Sequence, residues 1–189
     1  MKTIIVYTSQ TGFTKRYGEW LTEGLTAKGQ EVLLLPLEEA KKKSDSFFSD
    51  ADAIVYGGWA MGGNIVKSEW LKSRIPIWKD KKLALFCVGG SPNENPDVAI
   101  ALDRALSDEE KEYVKAFYCQ GGIAYEKMKL PSKLAMKAFA GMLNKKKDAT
   151  EQEQKMGEMI SHSYDIADPK YVDPIVEYLS QLAFLREIQ

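Results

Sequence analysis

The sequence predicts an α/β fold: a three-layer sandwich in which a five-stranded parallel sheet carries helices on both faces. Three observations predict it. Short, nearly continuous apolar runs recur along the chain, as strands buried on both faces require. Stretches with helical spacing separate most of them, which makes the strands parallel and the crossovers helical. The loops after the first, third and fourth runs are rich in Gly, Ser or Asn, and in parallel sheets ligands lie beyond the carboxyl ends of the strands.

Residues 3–7 read as the first strand. Thr8, Ser9, Gln10, Thr11, Gly12, Phe13 and Thr14 follow as a hydroxyl-rich turn with one glycine. Tyr17, Trp20, Leu21 and Leu25 then share one face of a helix. The second strand spans 31–35 and is followed by polar residues 38–46. The third spans 51–56; residues 57–64 read as a glycine-rich loop, and 65–75 show helical spacing through Val66, Trp70 and Leu71. The fourth strand, 82–88, leads into a loop at 89–96. Helical patterns fill 97–106 and restart at Ser107, where Ser107 and Glu110 form a capping box. The fifth strand, 114–120, ends at Gly121 and Gly122.

Beyond it, residues 127–147 hold seven lysines and no acid, interleaved with apolar residues. Pro131 suits a helix start, and Leu134, Ala138 and Met142 share a face. Thr150 with Glu153 is a second capping box, and Asp168 with Pro169 opens the last helix. That helix places Val172, Ile175, Val176, Leu179, Leu182 and Ala183 at core spacing. The expected organisation is one domain over residues 1–189, with a basic amphipathic insertion at about 123–150 before the last helix.

Composition narrows the function. An apolar fraction of 44% supports a sizeable core, and a net charge of −1 provides no field for nucleic acid. No apolar segment approaches the roughly 18 residues of a membrane span, and the first run is too short for a signal peptide, so a cytoplasmic location is expected. Cys87 and Cys119 lie in strand-like runs and read as buried thiols. The single histidine, His162, cannot build a multi-histidine metal site; no metal is expected. No nucleophile–base arrangement is visible, so no catalytic side chain is assigned.

The chemistry therefore falls to the loops. A turn between a buried strand and a helix presents free amides at the positive end of the helix dipole. Ser9, Thr11 and Thr14 add hydroxyls, and Gly12 allows a ligand close to the backbone. There is no Gly-Lys-Ser/Thr ending and no Gly-x-Gly-x-x-Gly, which excludes a nucleoside triphosphate loop and a dinucleotide fingerprint. Amides and hydroxyls without a basic residue suit one terminal phosphate bound without a metal.

This stretch resembles the phosphate loop of the flavodoxins, Thr/Ser-x-Thr-Gly-x-Thr, matched by residues 9–14 at every fixed position. The resemblance implies the flavodoxin-like strand order 2-1-3-4-5, flavin mononucleotide (FMN) as cofactor, and a redox function. Its ring needs apolar or aromatic cover and backbone hydrogen bonds. Trp59, Ala60, Met61, Gly62, Gly63 and Asn64 are the candidates for cover, and Gly63-Asn64 is similar to the matching loop of flavodoxin-like quinone reductases. Gly89, Gly90 and Ser91 are the candidates for backbone contacts.

The layout after the fifth strand is similar to the flavodoxin-type protoporphyrinogen oxidases, which also carry a long insertion there. The second loop departs from them at Met61 and Gly62, where they have an aromatic–basic pair. The readings are thus electron transfer or oxidoreduction of a small organic partner, with a redox protein or a small acceptor such as a quinone as partner. Two alternatives stand beside it: a quinone-coupled protoporphyrinogen oxidase, and a non-catalytic binder of a phosphorylated ligand. For residues 130–147 two readings are open, a helix packed on the core with a solvated lysine face and a peripheral contact with a membrane or partner.

Overall fold

The computed structural model describes residues 1–181. Its sheet follows from strands whose two faces are both apolar. The strands are β1 (Lys2–Tyr7), β2 (Glu31–Pro36), β3 (Ala53–Met61), β4 (Lys82–Gly89) and β5 (Val114–Gln120). They run parallel in the order β2-β1-β3-β4-β5, the order the resemblance implies. Pro36 is tolerated because β2 is an edge strand, with no ladder on its outer side among the described residues.

Alternation along the strands splits the core into two layers. Ile4, Val6, Ile54, Tyr56, Leu83 and Leu85 pack on one face with Phe48, Trp70 and Trp78. Ile5, Val55, Ala84 and Phe86 pack on the other, beneath Tyr17, Leu21 and Leu25 of α1 (Phe13–Ala27). Each fully buried Ile, Leu, Val or Phe among them contributes roughly 1.5–3 kcal/mol. The short α2 (Leu37–Ala40) and α3 (Glu69–Lys72) lie on the first face. α4 (Pro96–Arg104) and α5 (Asp108–Lys111) carry the chain into β5, and the Ser107–Glu110 capping box is present.

α6 (Leu130–Lys145) and α7 (Glu151–Ile160) pair with each other over a separate small core of Ile123, Tyr125, Ala140, Leu143 and Ile160. The Thr150–Glu153 box caps α7. A two-stranded antiparallel ribbon, Gly122–Ile123 with Tyr164–Asp165, joins this layer to the end of β5. α8 (Asp173–Ser180) returns to pack against α1 through Ile175, Val176 and Leu179. Leu182 and Ala183 lie outside the described residues.

Three expectations are corrected. Residues 57–64 are not a loop. β3 continues to Met61 and folds back on Asn64–Ile65, with Ala60 opposite Ile65 and Met61 opposite Asn64. Gly62 (φ 58°) and Gly63 (φ 79°) make the turn, both in the left-handed region that suits a two-residue hairpin. Residues 65–75 are mostly turns, with α3 only four residues long. The last helix does not begin at Asp168. Asp168 caps a single 3-10 turn, Pro169–Val172, accepting from the Lys170 amide at 2.9 Å, and α8 follows.

Candidate functional site

The first loop is built by the passage from β1 into α1. The Thr8 amide donates to the Gly57 carbonyl at 2.9 Å, which ties the end of β1 to β3. The Gly12 amide donates to Ser9 Oγ at 3.1 Å, so the Ser9 hydroxyl holds the turn. Gly12 has φ 101°, a value that glycine alone adopts readily, and a Cβ there would meet nothing within 4 Å. Among the described residues the space above Gly12 is open.

α1 starts with no side-chain cap and no acidic residue in its first turn. The amides of Phe13, Thr14 and Lys15 find no acceptor among the described residues, and Arg16 is the first to bond back, to Gly12 at 3.0 Å. Thr11 is half-buried beside them and Thr14 is buried. Three free amides at the positive end of a helix dipole, under open space, have the chemistry to accept an anion. Gln10 faces elsewhere: its side-chain amide donates to Ser132 Oγ at 3.3 Å, on the first turn of α6.

The third loop is held from the opposite side. Gly121 donates to the Gly89 carbonyl at 2.7 Å, Tyr164 Oη donates to the Gly90 carbonyl at 2.7 Å, and Tyr118 Oη donates to the Ser91 carbonyl at 2.8 Å. Burial pushes the Tyr164 hydroxyl up to about 12 and the Tyr118 hydroxyl higher still, so both stay protonated donors. A Cβ at Gly89 would lie 2.5 Å from Tyr118 Oη, and one at Gly90 2.7 Å from Tyr164 Oη. These glycines admit two tyrosines. The carbonyls are thereby used, while the amides of Gly90 and Ser91 have no acceptor among the described residues.

The end of β5 joins loops one and three. A Cβ on Gly121 would touch both the Gly89 carbonyl oxygen (3.4 Å) and Phe13 Cβ (3.6 Å). Gln120 spans the same gap: its side chain accepts from the Asn93 amide at 2.9 Å and donates to the Ile166 carbonyl at 2.8 Å. Tyr17 Oη donates to the Gln120 carbonyl and accepts from the Asp168 amide at 3.2 Å. Thr8–Thr14 and Gly89–Ser91 thus meet around the carboxyl ends of β1, β4 and β5. The hairpin stands apart. Trp59 is half-buried, Ala60 through Asn64 are exposed, Met61 is 57% exposed, and no hydrogen bond joins the hairpin to the other two loops among the described residues.

Beside the first loop lies a cavity of about 390 Å³, lined by Thr11, Gly12, Phe13, Arg16, Lys127 and Tyr164 among others. Arg16 makes a two-pronged ion pair with Asp165 at 2.8 and 2.7 Å, and lies 5.1 Å from the centres of the Phe13 and Trp20 rings. The hydrogen bonds from the Arg16 guanidinium hold the Asp165 carboxyl below its usual range. A larger cavity, about 580 Å³, sits at the start of β5 between Leu102, Asp103 and Tyr178. It is at the other end of the strand from Gly121 and holds none of the three loops.

Arg16, Gln120, Tyr118, Tyr164 and Asp165 escaped the sequence reading. Tyr164 meets Gly90 across 74 positions, a pairing with no local signal. Cys87 and Cys119 are free and buried; burial pushes the Cys87 thiol up to about 12 and the Cys119 thiol higher still. His162 is exposed. Among the described residues no group of three or more His, Cys, Asp or Glu is placed to hold a metal ion, and no helix is long and apolar enough to cross a membrane.

A family model described as "Flavodoxin domain" matches residues 4–150. Among solved structures, the chain is similar to rubredoxin oxygen:oxidoreductase from the anaerobe Desulfovibrio gigas, at 17% identity and TM-score 0.45, over 85% of this chain and 35% of that one. It is similar to the two-electron reduced flavodoxin of Megasphaera elsdenii, at 20% identity and TM-score 0.44, over 84% and 98%. It is also similar to a flavodoxin from the domain Archaea, at 16% identity and TM-score 0.42, over 86% and 100%. The chain thus spans about a third of the Desulfovibrio protein and nearly all of the two flavodoxins. No curated protein matches it.

Proposed function

The chain belongs to the flavodoxin domain family, its cofactor is FMN and its function is redox; from that premise we propose that the Thr8–Thr14 loop seats the FMN phosphate and that the loops beside it hold the flavin ring. The single observation that carries the proposal is the uncapped first turn of α1 under the open space at Gly12. Free amides and adjacent hydroxyls suit a dianionic phosphate, and Phe13, Thr14 and Lys15 supply the amides. Bound FMN supplies the hydride and electron transfer that side chains cannot.

The chain's own residues bind and orient. Ser9 shapes the loop through the Gly12 amide, and Thr11 and Thr14 offer hydroxyls to the phosphate. Gly90 and Ser91 offer amides to a carbonyl edge, on a loop that Tyr118 and Tyr164 hold in place. Trp59, Ala60, Met61, Gly62, Gly63 and Asn64 form a hairpin whose exposed tip can cover the ring. This assigns the hairpin a covering role and the other two loops the polar contacts.

For the partner, we propose a small organic acceptor such as a quinone over a strongly basic protein. The near-neutral chain supports that choice, since a net charge of −1 steers charged partners weakly.

Two titrations test the proposal. Flavin fluorescence quenching should give a Kd for FMN at least about tenfold below that for riboflavin, the equivalent of one charge-assisted hydrogen bond to the phosphate. Equal affinities would remove the phosphate from the loop. Anaerobic turnover of the FMN-loaded protein with a quinone, against a basic redox protein, tests the partner; reduction of the protein alone would overturn the choice.

A further inference from the structure

α6 is apolar on two sides. One side is used: Ala140 and Leu143 are buried against Ile123, Tyr125 and Ile160. The other side is bare. Leu130 is 67% exposed, Leu134 59%, Phe139 45% and Met142 60%. Leu130, Leu134, Ala138 and Met142 recur every fourth residue and form one stripe, with Phe139 on its flank. An apolar stripe of this length calls for cover, and among the described residues α7 covers only the other side of the helix.

The charge around the stripe says what the cover is. The segment 127–147 carries seven lysines and no acid. Only Lys146 is in an ion pair among the described residues, with Glu153 at 2.6 Å. Lys127, Lys129 and Lys133 crowd the start of the helix, and Lys145 and Lys147 its end. Lys127 and Lys133 act on Glu126 and Lys137 lies over the Tyr125 ring, yet lysines still outnumber the acids near α6. An apolar stripe flanked by such an excess of lysines complements a surface that is apolar beneath and anionic above. A bilayer interface with anionic headgroups has that profile, whereas an aqueous protein partner would have to supply apolar area and acids in the same pattern.

We propose that α6 docks on an anionic membrane surface, with Leu130, Leu134, Phe139 and Met142 in the headgroup–acyl boundary and the flanking lysines on the headgroups. The helix is about 24 Å long, at about 1.5 Å per residue, and lies in the plane of the interface. The Gln10–Ser132 hydrogen bond puts its first turn against the β1–α1 loop, so the bilayer lies beside that loop. The docking depends on the face of α6 alone and stands whatever the loop binds.

Co-sedimentation of the full chain with vesicles tests this. Phosphatidylcholine vesicles containing phosphatidylglycerol should bind the protein at low salt, and phosphatidylcholine alone should not. High salt should weaken the binding, as it screens the lysines. The double variant Leu134→Asp/Met142→Asp should bind at least about tenfold less while keeping the melting temperature of the parent, because both side chains are already in water. Phe139→Trp provides a second readout: its emission should shift to the blue on anionic vesicles. No binding by the parent, undiminished binding by the double variant, or no shift at Trp would each overturn the proposal. A parent dimer that the double variant converts to monomer, without vesicle binding, would assign the face to a second copy of the chain instead.

Discussion

Replacing Thr11 with Glu separates the phosphate loop from every other account of the site. Thr11 lies half-buried beside Gly12 and Phe13, next to a helix start that has no cap and no acid in its first turn. A carboxylate there meets the free amides that the phosphate would use. In the FMN-free protein the new charge gains about 0.3–1 kcal/mol from the helix dipole. In the FMN complex at least one charge-assisted hydrogen bond is lost, about 1.5–3 kcal/mol, before any repulsion between the two anions. FMN affinity should therefore fall by about 10- to 150-fold or more, while riboflavin affinity stays within threefold. Thermal unfolding of the FMN-free variant should be unchanged or slightly raised. Fluorescence quenching with the two flavins, and circular dichroism melting without flavin, read all three quantities. A variant that melts like the parent and binds FMN as the parent does would refute the reasoning. A fall in the melting temperature together with both affinities would mean the loop holds the fold and not the phosphate.

Three other outcomes follow from contacts in the structure. Tyr17→Phe leaves the Gln120 carbonyl and the Asp168 amide without a buried partner, and should cost about 2–4 kcal/mol in urea unfolding; a loss under about 0.5 kcal/mol would mean water replaces the hydroxyl. Arg16 depresses the Asp165 carboxyl, so its contribution is present above the usual value of 3.8 and is lost as pH falls through the lower folded value. Because Asp165 is half exposed, that contribution is below about 1 kcal/mol, and Asp165→Asn should flatten the acid limb of the stability profile only slightly; a steeper limb would reverse the sign. The Cys87 thiol, pushed up to about 12 by burial, and the buried Cys119 should resist a thiol-specific reagent at pH 8 in the native protein and react on unfolding; rapid native labelling would place one of them at the surface.

Much of the fold was legible because its signals are local. Apolar β-branched runs mark β1 and β3, and the Ser107–Glu110 and Thr150–Glu153 boxes mark helix starts within four residues. The hairpin at Gly62-Gly63 has a local signal too, since paired glycines at a turn suit two left-handed residues, yet the same glycines also read as a loop. The segment 65–75 misled for the opposite reason. Trp70 and Leu71 lie on the four-residue α3 and are buried with Phe48 and Trp78, while Val66 is only half-buried and lies outside any helix, so a few apolar positions at helical spacing need not mark one long helix.

What the sequence determined by itself is the turn with free amides that is proposed to seat the phosphate. Ser9, Gly12 and the amides of Phe13, Thr14 and Lys15 lie within seven consecutive residues, and the strand-to-helix turn that shapes them is encoded in the same stretch. Tertiary structure decided the rest of the site. Tyr164 reaches Gly90, Gln120 bridges Asn93 and Ile166, and Gln10 reaches Ser132 across 122 positions, all through pairings no local pattern contains. It decided the outer face of α6 as well. Periodicity places Leu134, Ala138 and Met142 on one side of the helix, but a helix with apolar residues on two sides carries no mark of which side the core takes. Tyr125, Ile160 and the partner helix α7 took the side of Ala140 and Leu143, and left the other to water.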